Sequence, residues 1–441
     1  MSREIIISGM KHVPLKMISD IGGITEDLTI VNPQYTKAKE LGIQNIRVSK
    51  YIRCYLITPT HIYIPRYFSI AKYTRLKPSD VDIIIETRDI PIDIEIDIPP
   101  YNKEFSYQED MVACYNGDGI LVAPPGSGKT IIGLKIINQV KQKTLVLTPT
   151  DAIRQQWVRL FKERTDGEIL LIKGNPDKVD FKSCDLAVSS FQALLGVNYN
   201  HDIFKEFPFL IVDEVHVAGA PEFNKVVGSF RSRRLGLTAT PYRNDKLHQM
   251  YMWHLGKIQK QITYADTNQH TPKIFELLVN TDARAGRYRT LPQFVTALWK
   301  DELYLSSLAK EINKIIQDRD YIIILCDRKN GPYELLKLLE LGDKTVEIVV
   351  GSDDISKASE ANIIISTWNK IKLGYNNEKI DTLIIASIVS TAEFSEQTVG
   401  RTLRKMIGKN IPHIYSVTTS EGVLRATHIK RMRAWRELGW T

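Results

Sequence analysis

The chain has 441 residues, of which 43% are hydrophobic and 25% charged, with a formal net charge of +8. These values exclude a disordered chain and a single small core, and set an expectation of about three domains. No apolar stretch is long enough to span a bilayer, no secretory pattern opens the chain, and four scattered cysteines without a CxxC pair suit a reducing, cytoplasmic setting rather than a disulfide framework or a zinc site.

Residues 1–100 are expected to form a small β-rich domain. Tyr51–Ile57 and His61–Ile64 alternate with the period of a strand. Charge is segregated: Lys37–Lys77 holds nine bases and one acid, Glu40, whereas Asp80–Asp97 holds seven acids and one base, Arg88. The basic part is interleaved with Tyr51, Tyr55, Tyr63, Tyr67, Phe68 and Tyr73. Bases among aromatics suit a nucleic-acid surface, and the same rings equally suit the core of a β domain. Pro99-Pro100 then marks a stiff linker.

From residue 101 the pattern becomes strand–helix–strand, the signature of an α/β parallel sheet. Candidate strands are Ile120–Val122, Thr144–Leu147, Ile169–Ile172, Leu186–Ser189, Phe209–Val212 and Arg234–Leu237. Between the first of them and a helical stretch lies Ala123-Pro-Pro-Gly-Ser-Gly-Lys-Thr130. A glycine-rich turn between strand and helix is a phosphate loop. Gly126, Ser127 and Gly128 supply backbone N–H groups, Pro125 lines the turn beside the nucleotide, Lys129 reaches the β- and γ-phosphates, and the Thr130 hydroxyl holds Mg²⁺. Ala123 stands where the general pattern has Gly. Asp213-Glu214-Val215-His216 follows an apolar strand. Asp213 is placed to hold Mg²⁺ and Glu214 to polarise the attacking water, so ATP and Mg²⁺ are the expected ligands. Tyr251–His254 is an aromatic cluster that suits core, or a wedge between nucleic-acid strands.

After about residue 273 a second alternating unit begins without a phosphate loop. Its candidate strands are Tyr321–Cys326, Val346–Val350, Ile363–Ser366, Thr382–Ala386 and Ile414–Val417, with helices over Leu291–Gln317 and Gly331–Leu341. Two such units, one with the loop, suggest a cleft that closes on nucleotide. The ending, Leu424–Trp440, reads as a basic helix that either meets phosphates or packs its tryptophans on the second unit.

The set APPGSGKT, DEVH and Leu237-Thr-Ala-Thr-Pro241, followed by Gln397-Thr-Val-Gly-Arg-Thr-Leu-Arg404, resembles the motor core of superfamily 2 helicases. The resemblance implies two tandem RecA-like parallel-sheet lobes, at 101–272 and 273–441, behind the domain at 1–100. It implies that Thr238 and Thr240 couple hydrolysis to movement, and that Gln397, Arg401 and Arg404 act on the γ-phosphate. It implies that Gln108 reads adenine. Nucleic-acid backbone contacts fall on Thr148, Pro149, Thr150, Arg154, Lys173, Ser190 and Gln192 in the first lobe, and on Arg328 and Thr367 in the second. The following Gln155-Gln156-Trp157 is grouped with that backbone segment. Lys372–Tyr375 departs from the family's coupling element. Gln155-Gln156-Trp157 and the His of DEVH argue against the DEAD-box RNA helicases, and the combination of Tyr107-Gln108, Gln156-Trp157 and Thr238-Ala-Thr-Pro241 is closest to the phage UvsW-like, XPB-like and restriction-subunit group. That implies a monomeric, 3′→5′ DNA motor on branched or forked, duplex and single-stranded DNA. Replication or recombination proteins would be its partners, in host bacterial cytoplasm if phage-encoded. An RNA helicase, the motor subunit of a nuclease complex and a catalytically inert binding protein are the alternatives. Removing residues 1–100 is expected to spare basal ATP hydrolysis.

Overall fold

The computed structural model describes all residues except 1–3, 41–45, 76–80, 87, 99–104, 199, 217–220, 244, 246, 264–265, 268–271, 352, 354–359, 369–378, 389–410, 438–439 and 441. Two compact units result: Met1–Ala123 with Gly128–Gln261, and Pro124–Ser127 with Ile262–Thr441.

The N-terminal part carries β1 (Glu4–Ile7), β2 (Lys11–Pro14), β3 (Thr29–Val31), β4 (Tyr51–Arg53), β5 (Leu56–Ile57), β6 (His61–Ile64) and β7 (Asp82–Ile85). Five of these form a sheet in the order β5-β6-β2-β1-β7, and β3 pairs with β4. The basic-aromatic stretch divides. Phe68 and Tyr73 are buried in this domain's core, while Tyr51 and Tyr67 are exposed. The acidic stretch ends as a strap: Ile92, Ile94 and Ile96 face inward at a period of two, and Ile92 N donates to Lys141 O at 3.1 Å.

This domain is locked onto the sheet that follows. Arg66 and Arg234 are both buried, with Asp118 between them. Arg66 Nη1 meets Asp118 Oδ2 at 2.6 Å, and Arg234 N donates to Asp118 Oδ1 at 2.7 Å. Arg234 also donates to Gly9 O at 2.6 Å, to Phe230 O at 2.7 Å and to His254 O at 2.8 Å. A Cβ on Gly9 would lie 2.3 Å from the Gly228 carbonyl, so only glycine permits this approach. Leu247 and Met250 complete the N-terminal core, and Tyr251 and His254 are buried in the same helix. The aromatic cluster is therefore core, not a wedge.

The first parallel sheet has seven strands: β8 (Gly119–Val122), β9 (Thr144–Thr148), β10 (Ile169–Ile172), β11 (Leu186–Ser190), β12 (Phe209–Asp213), β13 (Arg233–Thr238) and β14 (Ile258–Gln261). Their order is β10-β11-β9-β12-β13-β8-β14, all parallel. The central strands are buried along their whole length, as near-continuous apolar runs require.

The second parallel sheet orders β15 (Lys273–Leu278), β16 (Ile322–Cys326), β17 (Val346–Val349), β18 (Ile363–Thr367), β19 (Thr382–Ala386) and β20 (His413–Thr418) as β15-β20-β19-β16-β18-β17. Edge strands β14 and β15 were not among the expected strands: β14 is mostly polar with no buried side chain, and Lys273 and Glu276 interrupt the apolar residues of β15, of which only Leu277 is buried. The helix expected over Leu291–Gln317 is two helices, Leu291–Leu298 and Glu302–Asp318. Asp301 makes the break. Its carboxylate accepts from Leu303 N at 3.0 Å to cap the second helix, and from Asp282 N at 2.7 Å. In the terminal helix, Gly422–Glu437, Trp435 and Arg431 are buried. Arg431 donates to Ser387 O at 2.7 Å and Val417 O at 3.0 Å, tying strand ends together, while Lys430, Arg433 and Arg436 stay exposed.

Candidate hydrolysis site

Four strand ends build the site. β9, β12, β13 and β8 are consecutive neighbours, and being parallel they present their carboxyl ends together. From those ends emerge Thr148, Asp213, Thr238 and the phosphate loop. β8 and β12 are two strand spacings apart, so Asp213 stands about 10 Å across from the loop strand with Thr238 between.

Gly126 (φ 81°) and Gly128 (φ 82°) adopt left-handed backbone, and Gly128 precedes the helix Lys129–Val140. Ser127 and Pro125 are buried and Gly126 is exposed. A Cβ on Gly128 would sit 2.6 Å from Gln108 Nε2. The buried Gln108 thus lies beside the loop. Lys129 Nζ turns back to Ala123 O at 3.3 Å, and Ala123 N donates to Thr238 O at 3.0 Å.

Asp213 is buried. Its Oδ1 accepts from Glu214 N at 2.9 Å, and its Oδ2 accepts from Trp157 Nε1 at 2.8 Å. Burial, and then the charge of Glu214, push its carboxyl up to about 6, against the Trp157 hydrogen bond and the Lys129 charge. Glu214 has φ 52°, a left-handed conformation that costs a non-glycine residue energy. Its Oε2 is buried without a hydrogen-bond partner, 3.5 Å from His216 Nδ1. His216 Nδ1 is also 3.5 Å from Thr238 Oγ1, which accepts from Thr240 N at 3.2 Å. Arg243, in an ion pair with Asp245 at 2.6 Å, donates to His216 O and fixes the turn.

Among the described residues no group of three His, Cys, Asp or Glu side chains forms a metal cage. One hydroxyl and one carboxylate, Thr130 and Asp213, beside a phosphate loop fit Mg²⁺, which binds through one or two carboxylates and substrate phosphates.

The residues expected on nucleic acid are spread over several elements. Thr148 is buried and its hydroxyl donates to Thr150 O at 3.3 Å. Thr150 caps the helix Asp151–Arg164, in which Arg154 pairs with Asp151 at 2.9 Å. Lys173 and Gln192 are exposed, whereas Ser190 is mostly buried and caps its own helix, accepting from Ala193 N at 3.1 Å. Pro149 and Thr367 are half-buried, and Arg328 donates to Pro292 O at 2.6 Å. Gln397, Arg401, Arg404 and Lys372–Tyr375 lie outside the described residues. Gln156 and Trp157, grouped with the backbone segment, turn inward instead: Gln156 Nε2 donates to Thr130 Oγ1 at 2.9 Å. Sequence spacing could not show this, because a helix's rotation about its axis decides which side chains point at the site.

Residues 97–243 match the family described as type III restriction enzyme, res subunit. A protein of Acanthamoeba polyphaga mimivirus, named for ATP-dependent RNA helicase activity, is 24% identical over 433 residues, spanning 89% of this chain and 77% of its own length. The DNA 3'-5' translocase XPB2 of Sulfurisphaera tokodaii is 32% identical over 155 residues, 34% of each chain. The Pyrococcus furiosus Hef helicase domain covers 74% of this chain and 97% of its own, with a TM-score of 0.50 at 15% identity, a likeness of fold. The chain is thus similar to superfamily 2 helicases, as its motifs imply.

Proposed function

We propose that this chain, a helicase-type enzyme that hydrolyses ATP, is a DNA motor that remodels branched or forked DNA. The reading rests on one observation: the phosphate loop, Asp213-Glu214 and Thr238 meet at the carboxyl ends of neighbouring strands. Lys129 and the backbone N–H groups of 126–130 bind the phosphates, with Pro125 lining the turn. Thr130 and Asp213 would hold Mg²⁺, which would supply charge neutralisation to the transferred phosphoryl group. Glu214 would orient the attacking water with its carboxylate, beside His216. Thr238, touching Ala123 at the loop and His216 beside Glu214, carries the state of the nucleotide to Thr240. Gln397, Arg401 and Arg404 complete the γ-phosphate contacts.

The division at about 100 and 272 assigns nucleotide binding to the first lobe and the arginines to the second. Gln108 reads the adenine. Thr148, Pro149, Thr150, Arg154, Lys173, Ser190 and Gln192, with Arg328 and Thr367, track a phosphate backbone, which suits sequence-independent movement. The DNA assignment draws on the Gln-Gln-Trp and DEVH residues and on the resemblance to a DNA translocase. The protein would act as a monomer, moving 3′→5′ in the cytoplasm. Among the described residues no helix is long and apolar enough to cross a membrane. RNA is the second reading, favoured by the relative named as an RNA helicase.

ATP turnover should be stimulated most by forks and Holliday junctions, less by single-stranded DNA and least by RNA. Stimulation by RNA alone would end the DNA assignment. Strand separation assayed on forks, flaps and overhangs of both polarities reads the direction.

A further inference from the structure

Adjacent residues of one helix reach both groups that would hold Mg²⁺. Gln156 Nε2 donates to Thr130 Oγ1 at 2.9 Å, and Trp157 Nε1 donates to Asp213 Oδ2 at 2.8 Å. Each bond leaves its acceptor able to face a metal. The Thr130 oxygen keeps a lone pair and its proton, and each Asp213 oxygen, one bonded to Glu214 N and one to Trp157, keeps a lone pair. Donors placed in this way orient the ligands without displacing the ion.

The same helix starts in the segment assigned to nucleic acid. Thr150 caps it and Arg154 lies in its first turns. From Thr150 to Gln156 is about 9 Å along a helix axis, less than two turns. The indole is wedged in place: Trp157 is fully buried, and a Cβ on Gly133 of the phosphate-loop helix would meet its Cη2 at 2.5 Å. Movement of the helix at its N-terminus must therefore alter both hydrogen bonds together.

We propose that Gln156 and Trp157 are positioning residues that couple backbone occupancy at 148–154 to the geometry of Thr130 and Asp213. The inference rests on the function proposed above and adds a second route, separate from Thr238, between nucleic acid and nucleotide. Such linkage is reciprocal: whatever factor nucleic acid contributes to Mg²⁺–nucleotide affinity, the nucleotide returns to nucleic-acid affinity.

The test measures equilibrium binding of a fluorescent non-hydrolysable ATP analogue to the full chain. Mg²⁺ is present or replaced by EDTA, and single-stranded DNA and RNA are tested in separate arms. Trp157→Phe removes the indole donor. Gln156→Leu, at a half-buried position, removes the amide donor with little change in volume and serves if the first variant does not fold. In the wild type one of the nucleic acids tightens Mg²⁺–analogue binding. Either variant should reduce that coupling by about fivefold or more, while nucleic-acid affinity without nucleotide and analogue affinity in EDTA stay unchanged. Unchanged coupling in the variants overturns the inference, as does a loss matched by equal losses in the two control affinities. A wild type that binds analogue with no response to nucleic acid overturns the inference but not the nucleotide site; one that binds no analogue overturns both.

Discussion

Lys129 carries the only ammonium group in the phosphate loop, and its present contact, the Ala123 carbonyl, is one that phosphate replaces at little cost. Lys129→Ala should lower ATP turnover by about a hundredfold or more, read in a steady-state phosphate-release assay. Asp213 gives a stability signature with a defined sign. Its folded-state value, about 6, lies above the ordinary 3.8, so between these values the native chain holds a proton that the unfolded chain has lost. Stability from this group therefore falls as pH rises through that window. Asp213→Asn should remove the slope. Its stability relative to wild type should improve between about pH 4 and pH 7 by on the order of 2 kcal/mol in denaturant titrations, although turnover is lost. Glu214 works the same way through its backbone. With φ at 52°, Glu214→Gly should relieve strain and raise the unfolding free energy by about 1 kcal/mol in denaturant titrations, while hydrolysis disappears. These residues were legible in the sequence because phosphate loops and strand-end acids are contiguous motifs. Arg431 and Arg234 were not, since charge alone suggests surface, and only the carbonyls that surround them make burial possible.

At the scale of elements, the central strands and the edge strands β10 and β17 were legible as apolar runs, whereas the edge strands β14 and β15 were not. The helix pair around Asp301 was missed because the hydrophobic period runs through the break, and the cap depends on contacts with Thr281 and Asp282, about twenty residues earlier. Packing of the phosphate-loop helix on the helix Asp151–Arg164 depends on Gly133. Gly133→Ala inserts a methyl where the Trp157 ring stands, at 2.5 Å, between two buried elements. It should cost about 1–3 kcal/mol in chemical denaturation, although alanine is the better helix former. Increased stability would show that the two helices can separate without loss.

For the whole molecule, the N-terminal domain is part of the first lobe's structure rather than an appendage. Cutting at residue 100 would leave Asp118 without Arg66, take the Gly9 carbonyl from Arg234 and uncover Leu247 and Met250. The truncated chain should aggregate or melt early, contrary to the expectation that it keeps basal hydrolysis. Arg66→Ala tests the same contact in the intact chain. It strands a buried Asp118 and should cost about 3–5 kcal/mol, with faster amide exchange at the domain's edge against the first sheet. The sequence showed a β domain and a proline pair, which together suggested a tether, because long-range pairs such as Arg66 with Asp118 leave no local pattern. The buried contacts have a mechanical meaning. A domain held by two guanidinium groups and a close glycine approach has no pivot of its own, so it works as a stiff lever on the first lobe. A handle fixed to the exposed Ile83–Ile85 edge would report each displacement of that lobe without linker compliance, and load applied there would act directly on the lobe that carries the phosphate loop.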